Sequence, residues 1–163
     1  MPLARRVRRF LQAAGAEFQL VPHARASTAR GAAHAAHVPE ECTAKSVLLV
    51  DGAGYIVAVI PASRRLELAT LEALLHRRVT VAHEDAVDWL FGDCERGAVP
   101  AIARPYGVPI VIDESLLAER DVYFEGGDHA ELVHMRASEF SRLAAGAPRA
   151  SFTVLRGSAA PGR

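Results

Sequence analysis

The sequence predicts one globular domain of mixed helices and strands, in which an antiparallel hairpin belongs to a sheet covered by helices. Two observations carry this expectation. Residues 45–50 (KSVLLV) and 55–60 (YIVAVI) are apolar runs joined by the turn sequence DGAG. Both runs are apolar at nearly every position, so both faces of their sheet must be covered, as when helices pack on it. A chain of 163 residues with 50% hydrophobic residues has enough apolar material for one packed core.

The elements follow in order. Val7, Phe10, Leu11 and Ala14 recur at helical spacing, and Gly15 stands where a left-handed C-cap belongs, so the chain opens on a helix. Arg5, Arg6, Arg8 and Arg9 form its other face, which is either a solvated surface or a contact for RNA phosphates. Ser27 or Thr28 caps a second, alanine-rich helix that runs to about His37, where Val38-Pro39 stops it. Two helices are therefore expected before any strand. Pro61 ends the second hairpin strand, and Ser63 is expected to cap a helix carrying Leu66, Ala69, Leu71, Leu74 and Leu75.

Residues 79–82 read as a strand and residues 84–91 as a short helix closed by Gly92. A loop over 96–105, punctuated by Gly97, Pro100 and Pro105, leads into a strand at 109–113. Apolar runs at 122–124 and 132–135 flank a second glycine loop at 126–129, and residues 138–145 form a final helix. Beyond Gly146 there is little to bury. The domain is thus expected to span residues 1–147, with residues 148–163 a loose tail.

Composition narrows the function. Equal numbers of basic and acidic residues, 19 of each, argue against a protein that coats long nucleic acid; no DNA partner is expected, while the end of an RNA remains open. No apolar run approaches the roughly 20 residues of a membrane span, so no membrane partner is expected. Arg8 and Arg9 interrupt any secretory signal, which makes the expected location cytoplasmic. Cys42 and Cys94 lack CxxC spacing and read as reduced thiols. There is no GxSxG elbow, P-loop, GxGxxG or HExxH motif. His34 and His37 lie one helical turn apart, but no cluster supplies further ligands, so neither metal nor cofactor is expected.

A pattern distributed along the chain carries more. It runs from His23 in VPHARAST through AKSVLLV, AVIPASRRL, GAVP, YGVPIVID and FEGGDH. In this order and spacing, over roughly residues 3–145, the sequence resembles the YbaK / prolyl-tRNA-synthetase-associated domain family. The resemblance implies an α+β fold with a mixed, mostly antiparallel sheet covered by helices. It also implies removal of a misattached amino acid from the 3′ end of aminoacyl-tRNA, commonly tRNA for proline, and admits an aminoacyl-tRNA synthetase as a partner. The family's central lysine matches Lys45, and its closing glycine loop with histidine matches Gly126, Gly127 and His129. Its glycine-x-x-x-proline loop falls on residues 96–100, where Arg96 replaces the first glycine and Gly97 stands one place later.

The residue types suit ester hydrolysis. A lysine ammonium is a compact cation with three donors, able to hold phosphate or ribose oxygens and a carbonyl becoming negative. Glycines let the backbone approach a ligand and turn N–H groups into a pocket. Lys45, Gly97, Ala98 and His129 are therefore the candidate catalytic residues. His23, Thr28, Pro100, Asp113, Gly126 and Gly127 are the candidate substrate-binding residues. Several have plainer alternatives: Lys45 a solvated strand end, Thr28 a helix cap, Asp113 the start of a turn, His129 the end of one. No protein nucleophile stands out, so water is expected to attack. The loops at 97–100 and 126–129 are expected to face one pocket near Lys45 that takes a small amino acid such as alanine, serine, cysteine or threonine. The rivals are a tRNA-end-binding module without turnover and a hydrolase of some small non-RNA ester.

Overall fold

The computed structural model describes residues 3–157. Helix α1 (Arg5–Ala13) is followed by strand β1 (Gln19–Pro22) and helix α2 (Ala29–Ala35). Strands β2 (Ala44–Val50), β3 (Tyr55–Pro61) and β4 (Arg64–Leu66) come next, then helix α3 (Leu68–Leu75), strand β5 (Thr80–Val81) and helix α4 (Glu84–Leu90). The second half contains β6 (Ile110–Asp113), α5 (Glu114–Leu117), β7 (Asp121–Glu125), β8 (Glu131–Arg136), α6 (Ala137–Leu143), β9 (Arg149–Ala150) and β10 (Thr153–Leu155).

The α+β expectation holds in detail at the hairpin. β2 and β3 pair antiparallel with Lys45 opposite Ile60, and the Asp51 carboxylate caps the turn by accepting the N–H groups of Ala53 and Gly54. They sit inside a five-stranded mixed sheet of order β5-β2-β3-β6-β9, antiparallel from β5 to β3 and parallel from β3 to β9. Alternate residues of β3 feed opposite cores: Val57 and Val59 join one, Ile56, Ala58 and Ile60 the other. Both faces are covered, and each fully buried Val, Leu or Ile contributes about 1.5–3 kcal/mol of transfer free energy. A three-stranded antiparallel sheet, β1-β8-β7, packs beside it and is linked through a parallel bridge between Thr43 and Tyr123. Among the described residues no helix is long and apolar enough to cross a membrane.

Three local expectations are corrected. A strand does precede the second helix: β1 pairs with β8, Gln19 opposite His134, a contact no local pattern reveals. Ser63 caps nothing, because residues 64–66 form β4 against β10 and the α3 helix begins only at Leu68. The expected tail is folded through Leu155: β9 extends the main sheet, β10 pairs with β4, and Phe152 is buried at 1% exposure. Only residues 158–163 of that expected tail lie outside the described residues.

Candidate active site

Lys45 is the second residue of β2, paired opposite Ile60 of β3. Its side chain is half-buried, and among the described residues its ammonium makes no hydrogen bond or ion pair. Burial, and then the nearby Arg156 guanidinium, hold its pKa below the usual lysine range. It stands at the junction of two cavities, of about 550 Å³ and about 290 Å³, which share Lys45, Ser46, Gly97, Val99 and Arg156. Arg64, Arg65 and Asp88 line the larger cavity; Thr28, Arg30 and Glu125 line the smaller.

Gly97 and Val99 bring the 95–100 loop into the wall common to both cavities. Gly97 has φ +83°, a left-handed conformation that costs a side chain about 1–2 kcal/mol, while a Cβ there would sit at an ordinary 3.7 Å from His129 Cε1. Conformation, not space, calls for glycine. Arg96, at the position of the family's first glycine, turns its guanidinium out to Asp88 at 3.0 Å and Glu84 at 3.7 Å on α4. Ala98 does not offer the donor expected of it, since its N–H already donates to the Glu95 carbonyl at 3.0 Å. The Gly97 N–H donates to no protein acceptor among the described residues. Pro100 is buried and lines neither cavity.

The second glycine loop plays a different part. Gly126 and Gly127 line neither cavity but receive the start of α1: the Gly126 carbonyl accepts the Ala4 N–H at 2.8 Å. A Cβ at Gly126 would lie 2.5 Å from Leu3 Cδ1, and one at Gly127 2.5 Å from Ala4 Cβ. Close approach of backbone is what these glycines permit. His129 is buried behind the first loop, its Nε2 2.6 Å from the Arg96 carbonyl and its Nδ1 3.1 Å from Glu125 Oε1. Burial pushes the Glu125 carboxyl up to about 7 despite His129. Burial works against the charged form of His129, but the Arg96 carbonyl and Glu125 outweigh it and raise its pKa.

The remaining candidates separate cleanly. Thr28 lines the smaller cavity and also caps α2, its hydroxyl oxygen accepting the Gly31 N–H at 3.0 Å. Asp113 lies away from both cavities; it accepts the Phe152 N–H at 2.9 Å and caps α5 through the Ser115 N–H and hydroxyl. His23 binds the Ala24 carbonyl through Nδ1 and lines neither cavity. His34 pairs with Glu40 at 2.7 Å, and no group of three metal-ligating side chains converges among the described residues. Burial pushes the Cys42 thiol up to about 11 and the Cys94 thiol up to about 12, so neither is a thiolate nucleophile at neutral pH. Glu125 and Arg156 are the site residues that sequence reasoning missed. Glu125 stood in view four residues before His129, whereas Arg156 fell in the supposed tail.

A model of the aminoacyl-tRNA editing domain matches residues 23–143. The chain belongs to the aminoacyl-tRNA editing domain family. Solved structures carry the same fold. One, described as "hypothetical protein APE2540", is 28% identical with a TM-score of 0.81, over 92% of this chain and 100% of the other. Another, described as a "putative trans-editing enzyme for prolyl tRNA synthetase", is also 28% identical with a TM-score of 0.81, over 94% of this chain and 98% of that one. A protein from Marinobacter aquaeolei VT8, described as a "Putative signal transduction protein", shares the fold alone: it is 22% identical with a TM-score of 0.75, over 91% of this chain but 30% of the other. No curated protein matches the chain. Within this editing domain, the matched segment contains the cavity-edging loop with Gly97, the 126–129 loop behind it, β2 with Lys45, and the Glu125–His129 pair.

Proposed function

We propose that this editing domain hydrolyses the ester of mischarged aminoacyl-tRNA, releasing a small amino acid and restoring the free hydroxyl at the tRNA 3′ end. The observation that carries this reading is the half-buried Lys45 ammonium, without an anionic partner among the described residues, at the junction of two cavities edged by Gly97. A cation so placed favours an anionic or charge-developing group from a ligand, because attraction strengthens where water is partly excluded. The larger cavity, with Arg64, Arg65 and Arg156 around it, suits the phosphate-bearing 3′ adenosine; the smaller suits an amino acid of the size of alanine or serine.

In this reading Lys45 and the Gly97 N–H stabilise the oxyanion while water attacks the ester carbonyl, the substrate's own ribose hydroxyl helping to orient it. The C–O ester bond breaks, one water oxygen ends in the carboxylate, and the ribose oxygen takes a proton. Raised thiol pKa values support water over a cysteine nucleophile. The tRNA for proline or a related tRNA is the proposed substrate, with a prolyl-tRNA synthetase as proposed partner, by analogy with the neighbour described as acting for that synthetase.

The test is single-turnover deacylation of a panel of tRNAs carrying near-cognate small amino acids. Lys45→Ala is expected to lower the rate by about 10²–10³, the usual worth of an oxyanion donor. Lys45→Arg is also impaired, because a planar guanidinium does not reproduce a compact ammonium. Melting temperatures hardly move, since exposed or half-exposed lysines contribute under about 0.5 kcal/mol. Near-wild-type rates for Lys45→Ala would sink the assignment. Retention of the panel without turnover would favour a binding module, and indifference to uncharged tRNA as competitor a non-RNA ester.

A further inference from the structure

His129 stands between two acceptors. The Arg96 carbonyl can only accept, so Nε2, at 2.6 Å, carries a proton. Nδ1 faces Glu125 Oε1 at 3.1 Å, and a neutral imidazole beside an ionised carboxylate would set two lone pairs against each other there. One proton must lie in that contact, on Nδ1 or on Oε1. Either arrangement leaves the pair neutral as a whole, which is what burial of both side chains at 7% exposure requires.

The pair also touches the site. Glu125 opens into the smaller cavity alongside Lys45 and Thr28, and the carbonyl that His129 holds is joined to left-handed Gly97, which edges both cavities. We propose that Glu125 is a positioning residue: the single proton held between Glu125 and His129 clamps the Arg96 carbonyl, and with it Gly97, in the arrangement that turnover needs. This rests on the deacylase reading of the same site. Acidic groups lie near the pair and basic ones edge the cavity beside it. Asp128 and Glu95, the latter tied to Arg25 at 2.5 Å, are acidic and hold the proton in; Lys45, Arg30 and Arg156 edge the cavity into which Glu125 opens and favour its loss.

The proton leaves to solvent as pH rises, the two lone pairs then face each other, and the clamp loosens. Activity therefore falls on the alkaline side. Glu125→Gln separates this from titration of Lys45: an amide N–H donates to the neutral Nδ1 however far the pH rises, and leaves Lys45 untouched. The experiment is single-turnover deacylation from about pH 6 to about pH 9, with spontaneous ester hydrolysis subtracted, alongside retention of uncharged tRNA. Glu125→Ala is expected to lose about 10² in rate with tRNA retention kept, as misplacement by about 1 Å does elsewhere. Glu125→Gln recovers at least about tenfold of that loss, and its alkaline fall moves to higher pH than that of the wild type. Parallel pH profiles for wild type and Glu125→Gln, or an undiminished rate for Glu125→Ala, overturn the proposal.

If wild type deacylates nothing, the functional reading fails and the clamp is still decided by imidazole ¹⁵N shifts. In the wild type, Nε2 should stay protonated while Nδ1 and the Glu125 carboxyl carbon titrate together, and that coupled change should vanish in Glu125→Gln. Independent titration of the two groups overturns the clamp.

Discussion

The two glycine loops look alike in sequence and do opposite work in the fold. Gly97 edges both cavities in a left-handed conformation with room around it, whereas Gly126 and Gly127 are crowded against Leu3 and Ala4 and see no cavity. One loop edges the two cavities; the other docks the first helix and, through His129 and the Gly127 carbonyl on the Glu95 N–H, braces the first from behind. The lesson is that a glycine is explained by what surrounds it. The same freedom serves a left-handed turn at a cavity edge in one place and a neighbouring backbone in another.

Substitution can break this comparison. The largest expected contrast is between Gly97→Ala and Gly127→Ala. At Gly97 the new methyl has space but the conformation is strained, so single-turnover rates should fall by about tenfold as the loop shifts. At Gly127 it would meet Ala4 Cβ at 2.5 Å and the Ala4 backbone nitrogen at 3.0 Å, so unfolding free energy should drop by about 1–3 kcal/mol or more while the folded fraction keeps its rate. Denaturant melts with deacylation rates decide; a catalytic defect at Gly127 with unchanged stability would merge the two loops into one site after all.

Asp113 gives a smaller effect of the same kind. Its carboxylate is buried on the Phe152 and Ser115 N–H groups, so Asp113→Ala strands those donors and should cost about 1–3 kcal/mol. A fall in rate at unchanged melting temperature would return it to the substrate. Smallest of all is Arg96→Gly, which restores the family's glycine. Because that guanidinium is 63% exposed and paired to Asp88 at the surface, its removal should change stability by less than about 1 kcal/mol. A larger loss in melts would mean that the Arg96 pairing to α4, rather than His129, holds the loop.

What could be read from residues alone was whatever neighbours along the chain decide. The β2–β3 hairpin follows from two apolar runs and a turn whose Asp51 binds N–H groups two and three residues on. Thr28 caps α2 through Gly31, three residues away, and Lys45 stands one residue into β2, just before its apolar run. The order and spacing of the motifs carry the resemblance to the editing family. Tertiary structure alone decided what depends on distant partners. β1 is a strand only because β8 lies beside it, and residues 148–155 fold only because β6, β4 and the Asp113 carboxylate receive them. Gly126 and Gly127 were legible as special but not as a dock for α1, and Glu125 was visible beside them without showing that His129 would carry its influence to Gly97. Short-range hydrogen bonds and periodicity are written locally. Close approach, edge pairing and the burial of a shared proton exist only once chain segments up to a hundred and more residues apart have met.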